Sequence, residues 1–100
     1  SPAGRFLDGL GRQLPWPRAV VVVSAHFMTD RPMVGGHIQP HTVHDFGGFP
    51  EPLYQIRYPA PGAPDLAEQI AQRLADAGLN PRVRENQGLD HGAWVPMLRM

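Results

Sequence analysis

Three histidines stand where chemistry can be done: His26 in Ser24-Ala25-His26, His44 in His44-Asp45-Phe46-Gly47-Gly48-Phe49-Pro50, and His91 in Gly88-Leu89-Asp90-His91-Gly92-Ala93-Trp94-Val95-Pro96-Met97. Histidine ligates borderline metals and carries protons near neutral pH, and small residues beside it let backbone come close to a bound molecule. The three segments read as walls of one site. Each residue also has a plainer reading. His26 is open to two, a metal ligand or a polar strand end bonded to backbone. His44 has Asp45 beside it, but adjacent residues need not face each other, so the pair is no relay on spacing alone, and a hydrogen-bonded loop histidine fits equally well. His91 follows Asp90, which is also suited to cap a helix starting near Ala93. His37 and His41 have the spacing of two ligands on a helix, but Pro40 between them argues against a helix. Trp16 and Trp94 read most simply as core or pocket-wall aromatics.

The composition narrows the chemistry. One hundred residues make one domain, near the lower end of comfortable sizes. Nine arginines and no lysines balance nine acids, so no basic stripe for nucleic acid is expected. The absence of cysteine removes disulfides and thiolate ligands, which leaves His, Asp and Glu to hold a harder metal such as iron(II), manganese or zinc. The longest apolar run, Ala19 to Val23, is too short to span a bilayer, and no basic-then-apolar leader is evident, so a cytoplasmic protein without membrane contact is expected. No phosphate-binding loop, nucleophile elbow or dinucleotide fingerprint occurs.

These side chains need elements to position them. Phe6, Leu7, Leu10 and Leu14 predict a first helix closed by Pro15-Trp16-Pro17. Ala19 to Val23, continuously apolar and β-branched, predicts a strand buried on both faces of a parallel sheet, which puts His26 just past its C-terminal end, where open α/β sheets bind ligands. Met33-Val34-Gly35 predicts a short edge strand, and Gly36 to Pro50 a long loop whose aromatics argue for function over disorder. Pro52 to Tyr58 fits a helical turn or a strand. Pro64 to Ala77 predicts an amphipathic helix with Leu66, Ile70, Leu74 and Ala77 on one face, Pro64 in the first turn and Gly78 at the C-terminal cap. Asn80 to Arg84 predicts a second strand, Gly88 to Gly92 a turn, and Ala93 to Met100 a last helix. The order implies an α/β layered fold with a mainly parallel central sheet flanked by helices.

Val22-Val23-Ser24-Ala25-His26-Phe27, His44 to Pro50, Tyr58-Pro59-Ala60-Pro61-Gly62 and Gly88 to Pro96, in this order across nearly the whole chain, resemble the class III extradiol ring-cleavage dioxygenases, in particular their 4,5-DOPA extradiol dioxygenase-like branch. Phe27 stands where the family commonly has tryptophan and keeps an aromatic there. The resemblance implies insertion of dioxygen beside the hydroxyls of a catechol-type substrate at non-haem iron(II), or at zinc. It implies that His26 is a metal ligand. It makes His44 and His91 candidates for orienting the catechol or moving its protons, with Asp45, Phe46, Gly47, Asp90 and Trp94 lining the substrate side. Family members are longer, opening with a strand and a His-Gly-Ser-Pro ligand motif and ending in a half that brings further metal and catalytic groups. Residues 1–100 therefore read as a partial catalytic domain, incomplete relative to the full family domain and with His26 as its one inherited ligand.

A rival expectation of another class is a noncatalytic binding or assembly module, which keeps the pocket wall and self-associates as a homo-oligomer through exposed apolar surface. Retained metal favours the enzyme site, and a metal-free dimer favours the module.

Overall fold

Proline and a serine cap start the first helix earlier than its apolar positions alone suggest. The computed structural model describes residues 1–100. In it α1 spans Pro2–Gln13, with Ser1 at the N-cap accepting the Gly4 N–H at 3.0 Å. The chain then runs without regular secondary structure, through a turn at Ala25 and His26, to β1, Met33–Gly35, and makes a short 3₁₀ helix at Glu51–Gln55, the helical one of the two alternatives left open there. α2 (Pro64–Asp76), β2 (Arg82–Arg84) and α3 (His91–Arg99) follow.

The sheet is two-stranded and parallel, with Met33 paired to Arg82, Val34 to Val83 and Gly35 to Arg84. α2 is the crossover between the strands, as parallel pairing requires, and it packs on both. Ala67 is its buried residue, and Leu66, Ile70, Ala71 and Leu74 are half-buried around it; Ala77, expected on that face, is exposed. α2 ends in a complete Schellman cap. Gly78 takes a left-handed φ of 86°, its N–H donates to the Ala75 carbonyl, and the Leu79 N–H donates to the Leu74 carbonyl. Arg31 pins the following turn, donating from Nε to the Asn80 carbonyl at 2.9 Å and from Nη2 to Asn80 Oδ1 at 2.7 Å.

α1 packs instead against α3, joined at the surface by Arg99 Nη2 and Asp8 Oδ2 at 2.9 Å. α3 starts at His91, two residues before the expected Ala93, because Asp90 caps it: its carboxylate accepts the Gly92 N–H at 2.8 Å. An isolated parallel bridge between Thr42 and Leu89 lays the long loop alongside the entry to α3. Trp94 is the one large side chain fully enclosed, with Ala93 beside it. No helix is long and apolar enough to cross a membrane.

One expected element takes another form. Ala19 to Val23 forms no strand within residues 1–100 and is not buried there: Val20 to Val23 are 41–94 % exposed. Backbone groups of a strand need a neighbour, and the only ladder here joins β1 to β2.

Candidate metal and substrate site

Each wall of the site is set by a different local device. Asp90, at the start of α3, uses one oxygen twice: Oδ1 accepts the Gly92 N–H and also the Ser24 hydroxyl at 2.6 Å. Ser24 Oγ in turn accepts the His26 N–H at 3.2 Å. The Ser24-Ala25-His26 segment is thus drawn onto the first turn of α3, and the imidazoles of His26 and His91 meet with centroids 4.0 Å apart. Gly92 lies at the point of contact. A Cβ there would stand 2.5 Å from Ser24 Oγ and 2.8 Å from His26 Cδ2, closer than real Cβ atoms come.

The third wall is the loop carrying Val43 to Phe46. The Val43 N–H donates to the Leu89 carbonyl, and its carbonyl accepts the Trp94 indole N–H at 2.8 Å. Asp45 then reaches α3. One of its oxygens, Oδ1, accepts the His91 backbone N–H at 2.9 Å and lies 2.9 Å from His91 Nδ1. The second approach has the distance of an ion pair without the angle of a hydrogen bond, so Nδ1, a buried atom, has no hydrogen-bond partner. Burial pushes the Asp45 carboxyl up, but the His91 backbone N–H, its imidazole, the Asp45 N–H and the charge of His91 together outweigh it, and the carboxyl is held below its ordinary value.

The structure therefore brings His26, Asp45 and His91 together, with one donor atom from each all within 4.8 Å of one another. Two imidazole nitrogens, one carboxylate oxygen and no thiolate are the donor chemistry of non-haem iron(II) and of zinc. With an unpartnered buried nitrogen among them, these residues fit such a metal.

His44 stands apart from this cluster. Its Nε2 is 2.8 Å from the Ile56 carbonyl, which can only accept, so Nε2 carries the hydrogen and Nδ1 is the basic atom of the ring. Its neighbour Asp45 faces His91 instead, so no relay forms between the adjacent pair. Phe46 is the hub of an aromatic wall, with ring centroids 5.0 Å from Tyr54, 5.4 Å from Phe49 and 5.8 Å from His91. Gly47 beside it is exposed with open space about it. Asp90 and Trp94 lie beneath the surface, Asp90 occupied with Ser24 and Gly92, Trp94 reaching the site through the rings of His44 and Phe46. His37 accepts the Gln39 N–H on Nδ1, a local turn contact.

Two contributors are not evident from sequence reasoning. Tyr54 sits in the segment of undecided structure, and Ser24 stands inside the Ser-Ala-His motif without a role of its own. Ser24 was legible only as a small polar residue beside a histidine.

Residues 10–100 match the family model described as the catalytic LigB subunit of aromatic ring-opening dioxygenase. Among curated proteins, the chain is 42 % identical over 103 residues to the 4,5-DOPA dioxygenase extradiol of Beta vulgaris, covering all of this chain and 38 % of that protein. It is 46 % identical over 96 residues to the protein of the same name from Escherichia coli strain K12, covering 96 % of this chain and 35 % of the relative. Dioxygenase tasH of Hapsidospora irregularis is 38 % identical over 82 residues, which cover 81 % of this chain and 25 % of that protein. The chain spans little more than a third of the length of the first two.

Proposed function

Because the chain belongs to the family of the catalytic LigB subunit of aromatic ring-opening dioxygenases, we propose that it is part of a metal-dependent enzyme that opens a catechol-type ring with dioxygen in the extradiol position. The observation that carries this reading is the convergence of His26, Asp45 and His91 around a buried nitrogen without a hydrogen-bond partner. Residues 1–100 then contribute one side of the catalytic domain.

His26 holds the metal from this chain, with the Asp45 carboxylate as the oxygen donor of the same cluster. When bound, iron(II), with zinc as the second choice, supplies the point at which catechol and dioxygen are held together, which removes much of the entropic cost of their encounter. His91 is the proton-handling group beside it. Asp45 ties the His91 backbone to the loop by accepting its N–H, and the same oxygen lies 2.9 Å from Nδ1 of its ring. His44 orients the catechol through Nδ1, since the Ile56 carbonyl holds Nε2 as the donor. Phe46, with Gly47 leaving open space beside it, offers the aromatic wall for the ring. Asp90 and Trp94 support these groups from below.

One observation favours a second reading. Trp16 is 98 % exposed and Val23 94 %, with Phe6, Leu14 and Val20 to Val22 also uncovered. Apolar surface of this kind suits a noncatalytic module that pairs with a second copy.

The test is oxygen uptake by the chain reconstituted anaerobically with iron(II) and given a panel of catechols, alongside His26→Ala. Uptake with a yellow ring-opened product that disappears in the variant supports the enzyme reading. A metal-free dimer that consumes no oxygen supports the module.

A further inference from the structure

Ser24 has no part in the reaction as outlined above, yet it is the centre of the one polar link between its segment and the rest of the molecule. From Ala19 to Met28 the hydrogen bonds are Phe27 N–H to the Ser24 carbonyl, His26 N–H to Ser24 Oγ, and Ser24 Oγ–H to Asp90 Oδ1. The first two stay inside the segment. Only the third leaves it, across 66 residues of sequence. We propose that Ser24 and Asp90 form a latch that positions His26 against His91, setting the distance between the imidazole that holds the metal and the imidazole that handles the proton. The latch deepens the reading of His26 as metal ligand and rests on it for its catalytic meaning.

The hydroxyl is well suited to the task because it donates and accepts at once. Its hydrogen goes to a carboxylate at 2.6 Å, the short distance of a charge-assisted bond, which is roughly twice as strong as a neutral one. Its lone pair takes the backbone N–H of His26 itself. Asp90 is only 9 % exposed and is fixed by capping α3, so the far end of the latch is rigid. Gly92 completes the arrangement, since any side chain there would meet both Ser24 Oγ and the His26 ring. Metal and proton-transfer geometry tolerates errors of only about 0.5 Å, so the bond that Ser24 Oγ accepts from the His26 N–H and its tie to Asp90 bear directly on it.

The experiment uses the 100-residue chain and the variants Ser24→Ala, Ser24→Thr and Asp90→Asn. The first readout, without metal, is the proton NMR cross-peak between the His26 and His91 rings; the second is binding of cobalt(II), whose visible absorption reports its donors. Ser24→Ala is expected to lose the cross-peak and to weaken cobalt binding about 10- to 100-fold, while the amide pattern of α2 is unchanged. Ser24→Thr keeps the hydroxyl and restores both signals. Asp90→Asn, which keeps an oxygen for both donors without the charge, falls between. A Ser24→Ala variant with the wild-type cross-peak and affinity overturns the latch, as does a threonine that fails to restore them. Should the wild-type chain bind no cobalt, the ligand reading of His26 falls, and the metal-free cross-peak still decides the latch.

Discussion

Replacing Trp94 by phenylalanine should cost far more than a conservative aromatic exchange. Trp94 is 2 % exposed, and its indole N–H donates to the Val43 carbonyl at 2.8 Å, tying α3 to the loop that presents His44, Asp45 and Phe46. The exchange removes that bond, worth about 1 kcal/mol net, and two ring carbons, worth together roughly 1.6 kcal/mol at about 0.8 kcal/mol for each buried carbon group. The expected loss is therefore about 2–3 kcal/mol. With a urea slope of about 1–3 kcal/mol/M for a small domain, the midpoint should fall by roughly 0.7–3 M. Trp94→Ala, at about 3–5 kcal/mol, would consume most of the stability of a marginal domain. The assay is equilibrium urea unfolding followed by circular dichroism. Intrinsic fluorescence adds a site-specific signal: Trp16 is 98 % exposed and Trp94 enclosed, so a Trp16→Phe background isolates the buried indole. A midpoint shift under about 0.3 M at unchanged slope, less than ~1 kcal/mol, would refute the view of Trp94 as the anchor between loop and helix.

Two further outcomes are expected. Gly92→Ala places a Cβ against Ser24 Oγ and His26 Cδ2, so it should cost about 1–3 kcal/mol as overpacking does and displace the Ser24 to His26 segment; unchanged urea stability together with an unchanged His26–His91 ring cross-peak would contradict it. The folded Asp45 carboxyl is held below its ordinary value of 3.8, so its contribution is present above that value and is lost as pH falls through the lowered one. Urea stability of the metal-free wild type should exceed that of Asp45→Asn at neutral pH, and the gap should close only in acid below 3.8; a gap that closes above it would show that Asp45 is not stabilised by His91.

Much of the scaffold can be read without coordinates because its signals are local. Pro64 at the start of α2, its apolar spacing and Gly78 at its end specify helix and cap through backbone geometry within one turn. Asp90 was recognisable as a helix cap for the same reason, and the β-strands fell within the segments expected of them. The identities of His26, His44 and His91 as the residues worth following also came from the order of short motifs.

Pairings across distance were different. Asp45 is adjacent to His44 in sequence but binds His91, 46 residues on, because the bridge at Thr42 and Leu89 sets the loop beside α3. Ser24 reaches Asp90 over 66 residues, and nothing in either segment announces the other. Ala19 to Val23 has every local mark of a buried strand, yet burial and pairing belong to what lies alongside, and no strand of residues 1–100 does. Sequence determined which residues could hold a metal, accept a proton or cap a helix, since those capacities reside in single side chains and their immediate neighbours. Only the tertiary structure decided that His26, Asp45 and His91 meet, because a site is a set of distances, and those distances are fixed by loop closure and hydrogen bonds between segments far apart in the chain.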